Sequence, residues 1–271
     1  MKVGRFVLTS VARGIGTGLK HAAASRRELG SCGVTLITSP LSSGMTTAIN
    51  QAAEIHGYLV ADIHADPTVR TVMNAVHRAV FGDESLMYGS DQTFGRVVRE
   101  MRDLGGPCVV HNADRLTAKT LDLFLDLGDS TGLHIVLCGS QRLRRLITSA
   151  PSGSLLERIK TRIVFDVELP GPSLADARLL AEELAEVKFD ADLIEHVFKQ
   201  SGTSVRSLLV KFEAIEETAA VANLERIGLA RWLALSGESE QPKLTAPRKA
   251  IAAPRSEIAS NTAFKGAVKV A

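Results

Sequence analysis

The stretch VTLITSPLSSGMTTAINQAAEIHG, residues 34–57, has the outline of a strand, a phosphate-binding loop and a helix. An apolar run from Val34 to Thr38 gives way to turn residues and then, from Met45, to apolar residues at helical spacing. A loop of the form GxxxxGK[ST] cradles phosphates through converging backbone N–H groups, a lysine that neutralises the β and γ oxygens, and a Ser/Thr hydroxyl that reaches Mg²⁺. Laid on that pattern, SPLSSGMT places Ser39 at the first glycine, Gly44 at the second, Met45 at the lysine and Thr46 at the magnesium ligand. Half of the key positions are therefore kept. An ordinary strand-to-helix turn would also accommodate Gly-Met-Thr. What favours a phosphate loop is its setting, because a turn that follows an apolar strand and opens a helix sets the helix N-terminus against an anion.

Outward from this loop, short apolar runs alternate with longer amphipathic ones, the order expected of a parallel sheet flanked by helices. Strands are predicted at 34–38, 58–63, 108–111, 134–139 and 162–167, and helices at 45–55, 68–81, 93–104, 117–127 and 141–148. Gly105, Gly106 and Pro107 make a strong break before the third strand. After LPGPS (169–173) the pattern turns helical, with Ser173 as an N-cap and Asp176 as the acid of a short capping box. Further helices are expected near 190–199, 203–222 and 224–235, giving a small helical bundle. No internal repeat is present.

Composition sets the bounds. The 271 residues can bury a core without staples, and the three cysteines are an odd number, with Cys108 and Cys138 inside apolar runs that suit buried thiols. A reducing, cytoplasmic setting is expected. No stretch approaches the roughly 18 continuous apolar residues of a membrane span, and no signal-peptide pattern opens the chain. The net charge of +2 is uneven: residues 241–271 hold six basic residues against one acidic, which leaves residues 1–240 at about −3. That basic, Ala/Pro-rich segment reads as a disordered arm, either a solvated terminus or a weak nucleic-acid or partner contact. The histidines lack metal-ligand spacing, and Trp232 reads as a packing residue.

The segment VVHNADRL (109–116), followed by TLDLFLDLGDSTG, HIVLCGS and QRLRRLI, resembles the AAA+ ATPases of the phage Mu transposition protein B type and related transposon target-selection ATPases. The likeness runs on through ERIKTRIVFDVELPGPS to SGTSVRSLL (201–209) and covers about residues 6–230 as an ordered series of segments. It implies an α/β P-loop NTPase fold with a five-stranded parallel sheet, followed by an all-helical lid. On that basis residues 1–30 are an N-terminal arm and helix, 31–170 the nucleotide-binding-like core, 171–235 the lid and 236–271 the basic tail.

The departures from the family fall on its chemistry. His111 occupies the metal-holding aspartate position and Asn112 the catalytic glutamate position, so both Walker motifs are degenerate. Met45 cannot offset phosphate charge, and the missing contact is worth about 1.5–3 kcal/mol, or one to two powers of ten in affinity. His111 is a poor ligand for Mg²⁺, and Asn112 can orient a water but cannot take its proton. ATP or ADP is expected to bind weakly, Mg²⁺ is doubtful, and efficient hydrolysis is not expected. The nucleotide positions that remain are Ser39, Ser43, Gly44, Met45, Thr46 and Thr47, with Ser140 at the γ-phosphate-sensing position and Arg206 at the lid arginine. Arg162, with Arg158 one turn earlier, matches an arginine that acts on a neighbouring subunit.

Three functions follow as expectations. The first is a degenerate AAA+ assembly, regulatory or DNA-associated module, oligomeric alone or with an AAA+ homologue and linked to a transposase or recombinase in mobile-element transactions. The second is a weakly active ATPase whose missing cation comes from elsewhere in the chain or from a neighbour. The third is a short-chain-dehydrogenase-like oxidoreductase, suggested by the run from Thr9 to Gly16, although the tyrosine–lysine pair such enzymes need is absent. DNA contact would fall to Arg96, Arg99 and Arg102, which lie on adjoining turns of one helix face, or to the basic tail. A solvated helix face explains the same three arginines.

Overall fold

The computed structural model describes residues 1–2, 5–25, 32–64, 67–82, 90–104 and 106–237, with the backbone alone at 90 and 91. The basic segment at 241–271 lies outside the described residues. Five parallel strands, β1 (Val34–Thr38), β2 (Leu59–Asp62), β3 (Cys108–His111), β4 (Ile135–Gly139) and β5 (Ile163–Glu168), form one sheet in the order β2-β3-β4-β1-β5. The three central strands are buried along their whole length. That is why they read as unbroken apolar runs: a parallel sheet covered on both faces needs apolar side chains in both directions.

Alternate strand residues feed two cores. Leu36, Val110 and Leu137 face helices α3 (Val69–Phe81), α4 (Ser90–Arg102), α5 (Ala118–Thr131), α6 (Gln141–Thr148) and α7 (Leu155–Lys160). Ile37, Val109 and Val136 face α1 (Ser10–Ala24) and α2 (Met45–His56). Each fully buried Leu or Ile in these layers contributes about 1.5–3 kcal/mol. All three cysteines are buried, and burial pushes the Cys108 and Cys138 thiols up to about 12.

Helix α1 corrects the dehydrogenase-like reading of residues 9–16. No strand precedes it among the described residues, and Gly14 and Gly16 lie inside the helix, which Thr9 caps by accepting from the Ala12 amide at 3.2 Å. A small residue is needed at Gly18 for packing: a Cβ there would lie 2.8 Å from Ile37 Cδ1. The glycine-rich run is thus a helix laid close on the sheet, not a turn that seats a pyrophosphate.

Helices α8 (Leu174–Leu184), α9 (Ala191–Ser201), α10 (Val205–Val221) and α11 (Leu229–Ser236) enclose their own core around Leu193, Leu208, Phe212 and Trp232. The expected capping box is present at Ser173 and Asp176. The buried Asp176 carboxylate also takes the Ser10 amide at 2.6 Å and the Ser10 hydroxyl at 2.5 Å, so one side chain starts α8 and fastens it to α1. One addition to the helical bundle is a parallel pair of two-residue strands, β6 (Lys188–Phe189) and β7 (Arg226–Ile227). With β7 and the Gly228 cap in place, the helix expected from 224 begins only at Leu229.

Candidate functional site

The loop between β1 and α2 turns through two left-handed residues, Ser42 (φ 60°) and Gly44 (φ 95°). Glycine takes that conformation without steric cost, which explains its presence at 44. Ser39 is buried, and its hydroxyl lies 2.5 Å from that of Ser43, closing the loop from inside. The Ser42 carbonyl accepts the Val205 amide at 2.8 Å and so ties the loop to the start of α10. Gly44 supplies no side-chain cap to α2. The N–H groups at Met45, Thr46 and Thr47 therefore present the positive end of the helix without a side-chain cap.

The ends of β3 and β4 lie beside this loop because those strands follow β1 in the sheet. Together with the start of α10 they wall a cleft of about 630 Å³. Ser39, Ser43, Gly44, Met45, Thr46 and Thr47 line it from the loop, Ser140 from the end of β4, and Arg206 from α10. His111 and Asn112 line it from the end of β3. The nucleotide positions expected from the sequence thus converge on one concavity at the carboxyl ends of the strands, where open α/β sheets bind ligands.

His111 is 5% exposed, and both of its ring nitrogens are engaged. Nδ1 lies 2.9 Å from Asp62 Oδ1 and Nε2 lies 3.1 Å from the Thr46 hydroxyl. A ring hydrogen on Nδ1 would point at the carboxylate, and in that tautomer Nε2 accepts from Thr46. Asn112, held at φ 59°, donates from Nδ2 to the same Asp62 oxygen at 2.9 Å. Asp62 reaches this corner because the register of β2 on β3 sets it opposite His111. Nothing in the local sequence around Asp62 announces that contact.

The donor set here does not suit Mg²⁺, which takes oxygen ligands in an octahedral shell and is held through carboxylates and phosphates. An imidazole fills the place of the expected carboxylate, and the Asp62 carboxylate stands behind that ring. Of the acids in the cleft wall, Asp114 and Glu213, Asp114 accepts the Ser140 amide at 3.2 Å. Ser140 in turn caps α6, accepting the Arg142 amide at 3.3 Å. Among the described residues no group of three or more His, Cys, Asp or Glu side chains is placed to hold a metal.

Cations are distributed unevenly. Arg206 is exposed and has no hydrogen-bond or ion-pair partner among the described residues. The N-terminal segment adds Lys2 and Arg5 to the cleft wall, which the motif pattern does not reveal; Arg5 pairs with Glu183, and the Lys2 ammonium has no partner among the described residues.

Arg158 and Arg162 lie outside this cleft, bound within their own chain. Arg158 reaches Asp122 at 2.7 Å, Asp126 at 3.1 Å and Asp129 at 3.4 Å, and Arg162 pairs with Asp129. Burial pushes the Asp129 carboxyl up, but hydrogen bonds from Arg162 and Cys32 outweigh it and hold it below its usual range. Of the arginines on α4, Arg96 stacks on Phe81 with its guanidinium carbon 4.6 Å from the ring centroid, and Arg102 donates to the Ser130 carbonyl at 3.0 Å. Arg99 is exposed.

No family model and no curated protein matches the chain. Solved structures do. The Orc1 protein of Aeropyrum pernix, solved in complex with DNA, is similar at 16% identity and TM-score 0.55, covering 84% of this chain and 64% of its own. The Cdc6p protein of Pyrobaculum aerophilum is similar at 12% identity and TM-score 0.55, covering 80% and 62%. The RuvB Holliday junction branch migration motor of Thermotoga maritima follows at 14% and 0.54, covering 84% and 67%. The chain thus spans about two thirds of the length of these proteins. No helix among the described residues is long and apolar enough to cross a membrane. The sheet order, the loop at the end of β1 and these likenesses together give the chain the fold of the AAA+ P-loop ATPases.

Proposed function

We propose that this chain is a degenerate AAA+ protein that acts as an assembly or regulatory module in DNA transactions of mobile elements, without efficient ATP hydrolysis. The carrying observation is the hydrogen-bonded series Thr46–His111–Asp62, joined by Asn112, at the corner where a metal acid and a catalytic base would stand. An imidazole is a poor ligand for Mg²⁺, and the Asn112 amide cannot take a proton from water. The surrounding scaffold keeps a cleft, a turn rich in N–H groups and the free Arg206, which suits weak binding of ATP or ADP. Solved proteins of similar fold include one in complex with DNA, which supports a DNA-associated role, with oligomerisation alone or with an AAA+ homologue and a transposase or recombinase as partner. The test is to mix the protein with a catalytically intact homologue and follow that homologue's ATPase rate and DNA filaments. A changed rate or filament is expected; no effect and no complex would overturn the proposal.

A second reading, a slow ATPase, draws on one specific observation: Lys2 and Arg5 in the cleft wall are cations from elsewhere in the chain. Calorimetry that finds no ATP binding at millimolar nucleotide would remove it.

A further inference from the structure

Three residues distant in the chain meet at one corner of the cleft: Thr46 in the first turn of α2, His111 at the end of β3 and Asp62 at the end of β2. The Thr46 hydroxyl lies 3.1 Å from His111 Nε2, and His111 Nδ1 lies 2.9 Å from Asp62 Oδ1. Hydroxyl, imidazole and carboxylate in that order form the relay that turns a weakly nucleophilic alcohol into an attacking group. One ring nitrogen takes the hydroxyl proton while the carboxylate holds the tautomer and orientation of the ring at the other. The hydroxyl is open to the cleft and the ring is sheltered, because Thr46 is exposed and His111 is buried. Asn112 steadies the carboxylate by donating from Nδ2 to the same Asp62 oxygen. In the turn that carries Thr46, the N–H groups that open α2 have no side-chain cap, and donors of this kind stabilise a developing oxyanion.

We propose that Thr46 is the nucleophile of an acyl-transfer site, with His111 as its general base and Asp62 as the residue that positions the base. The Thr46 oxygen bonds to the carbonyl carbon of an ester while its proton passes to His111 Nε2, and the carbonyl π pair moves onto oxygen. Collapse of that tetrahedral species breaks the bond to the alcohol oxygen, which takes the proton from His111, and Thr46 is left acylated. Water attacks next by the same route, releasing the carboxylic acid and restoring the hydroxyl. Leu41 and Val210, 76% and 59% exposed, line the cleft with Met45 and Leu209, so the substrate class is an ester of an aliphatic acid whose chain packs on them. The relay uses neither a nucleotide nor a metal ion, so its failure would leave the reading of the cleft as a weak nucleotide site standing.

The test treats the full-length protein with a fluorophosphonate and, separately, with p-nitrophenyl butyrate. A phosphonyl adduct on Thr46, located by peptide mass spectrometry, and catalysed release of p-nitrophenolate are expected. Thr46→Ala should abolish both, and Thr46→Ser should keep both. Asp62→Asn changes a half-exposed side chain and should leave the fold intact. It should slow p-nitrophenolate release at least about tenfold with KM within about twofold of the parent, a split that a merely structural hydrogen bond would not produce. No adduct, an adduct on another residue, or release by Asp62→Asn at the parent rate would overturn the inference.

Discussion

Arg158 and Arg162 on one side of the molecule and Arg206 and Lys2 on the other make an instructive pair of regions. The sequence resemblance assigns the first two to an arginine that acts on a neighbouring subunit, yet three aspartates of α5 hold them. The second two are free of partners among the described residues and line a cleft. Two arginines placed by motif can therefore differ wholly in what they are available to do. A guanidinium already bound by carboxylates must break those bonds before it can reach a ligand, and a solvated one loses only water and side-chain entropy. The arginine–aspartate cluster thus reads as a clasp joining α5, α7 and the start of β5, and the cleft cations as ligand-directed.

The largest effect expected from this contrast is on stability. Asp129→Ala removes the partner of Arg162 and a hydrogen bond to the Cys32 amide at 2.9 Å. The group is neither exposed nor fully buried, so a loss of about 2 kcal/mol is expected, between the values for surface and buried pairs. Urea denaturation would measure it; a loss below about 0.5 kcal/mol would mean that the clasp is ornamental and the arginines are available after all. The same carboxylate gives the effect a pH signature. Its folded value lies below the ordinary 3.8, so its contribution is complete above that value and is lost as pH falls through the lower folded one. Asp129→Ala should therefore flatten the acid side of the stability profile.

Arg206→Ala should do the reverse. Stability is expected to stay within about 0.5 kcal/mol, because no contact among the described residues is lost. ADP affinity should fall roughly tenfold, the value of one charge-assisted contact. Calorimetry on the variant decides the point: unchanged affinity would place Arg206 with solvent and leave phosphate binding to the N–H groups of α2 and the other cations of the cleft wall.

Much of this architecture is legible in the sequence. VTLIT, CVVH and QRLRRLIT match β1, β3 and α6 residue for residue, because glycine, proline or serine punctuates them, the two strands are buried throughout and the helix is amphipathic. The short elements are not legible. Helix α7 has six residues, too few to show a period, and β6 and β7 have two each. Within the site, Ser39 through Thr47 could be found from the loop pattern, and His111 and Asn112 from the resemblance. Asp62 could not, because its link to His111 depends on strand order and register, which no local pattern encodes. The clasp was hidden for the same reason. Arg162 and Asp129 are 33 positions apart, and charge spacing along one helix says nothing about pairs between elements.

Lys2 gives the smallest effect and the finest test of the contrast. It lies in an N-terminal segment whose backbone is fastened to α8 by the Lys2 amide on the Leu184 carbonyl at 2.8 Å, so the ammonium is carried to the cleft wall by the fold. Its stem is exposed, and ordering it on a ligand costs up to about 2 kcal/mol of rotamer entropy, which offsets most of the charge-assisted gain. Lys2→Ala is therefore expected to weaken ADP binding by only about two- to threefold, with a shallower salt dependence than the parent. Lys2→Arg should restore the parent behaviour, since position and charge, not a particular donor geometry, are at issue. A tenfold loss in Lys2→Ala, accompanied by loss of any slow phosphate release from ATP, would instead identify Lys2 as the displaced counterpart of the loop lysine and favour the slow-ATPase reading.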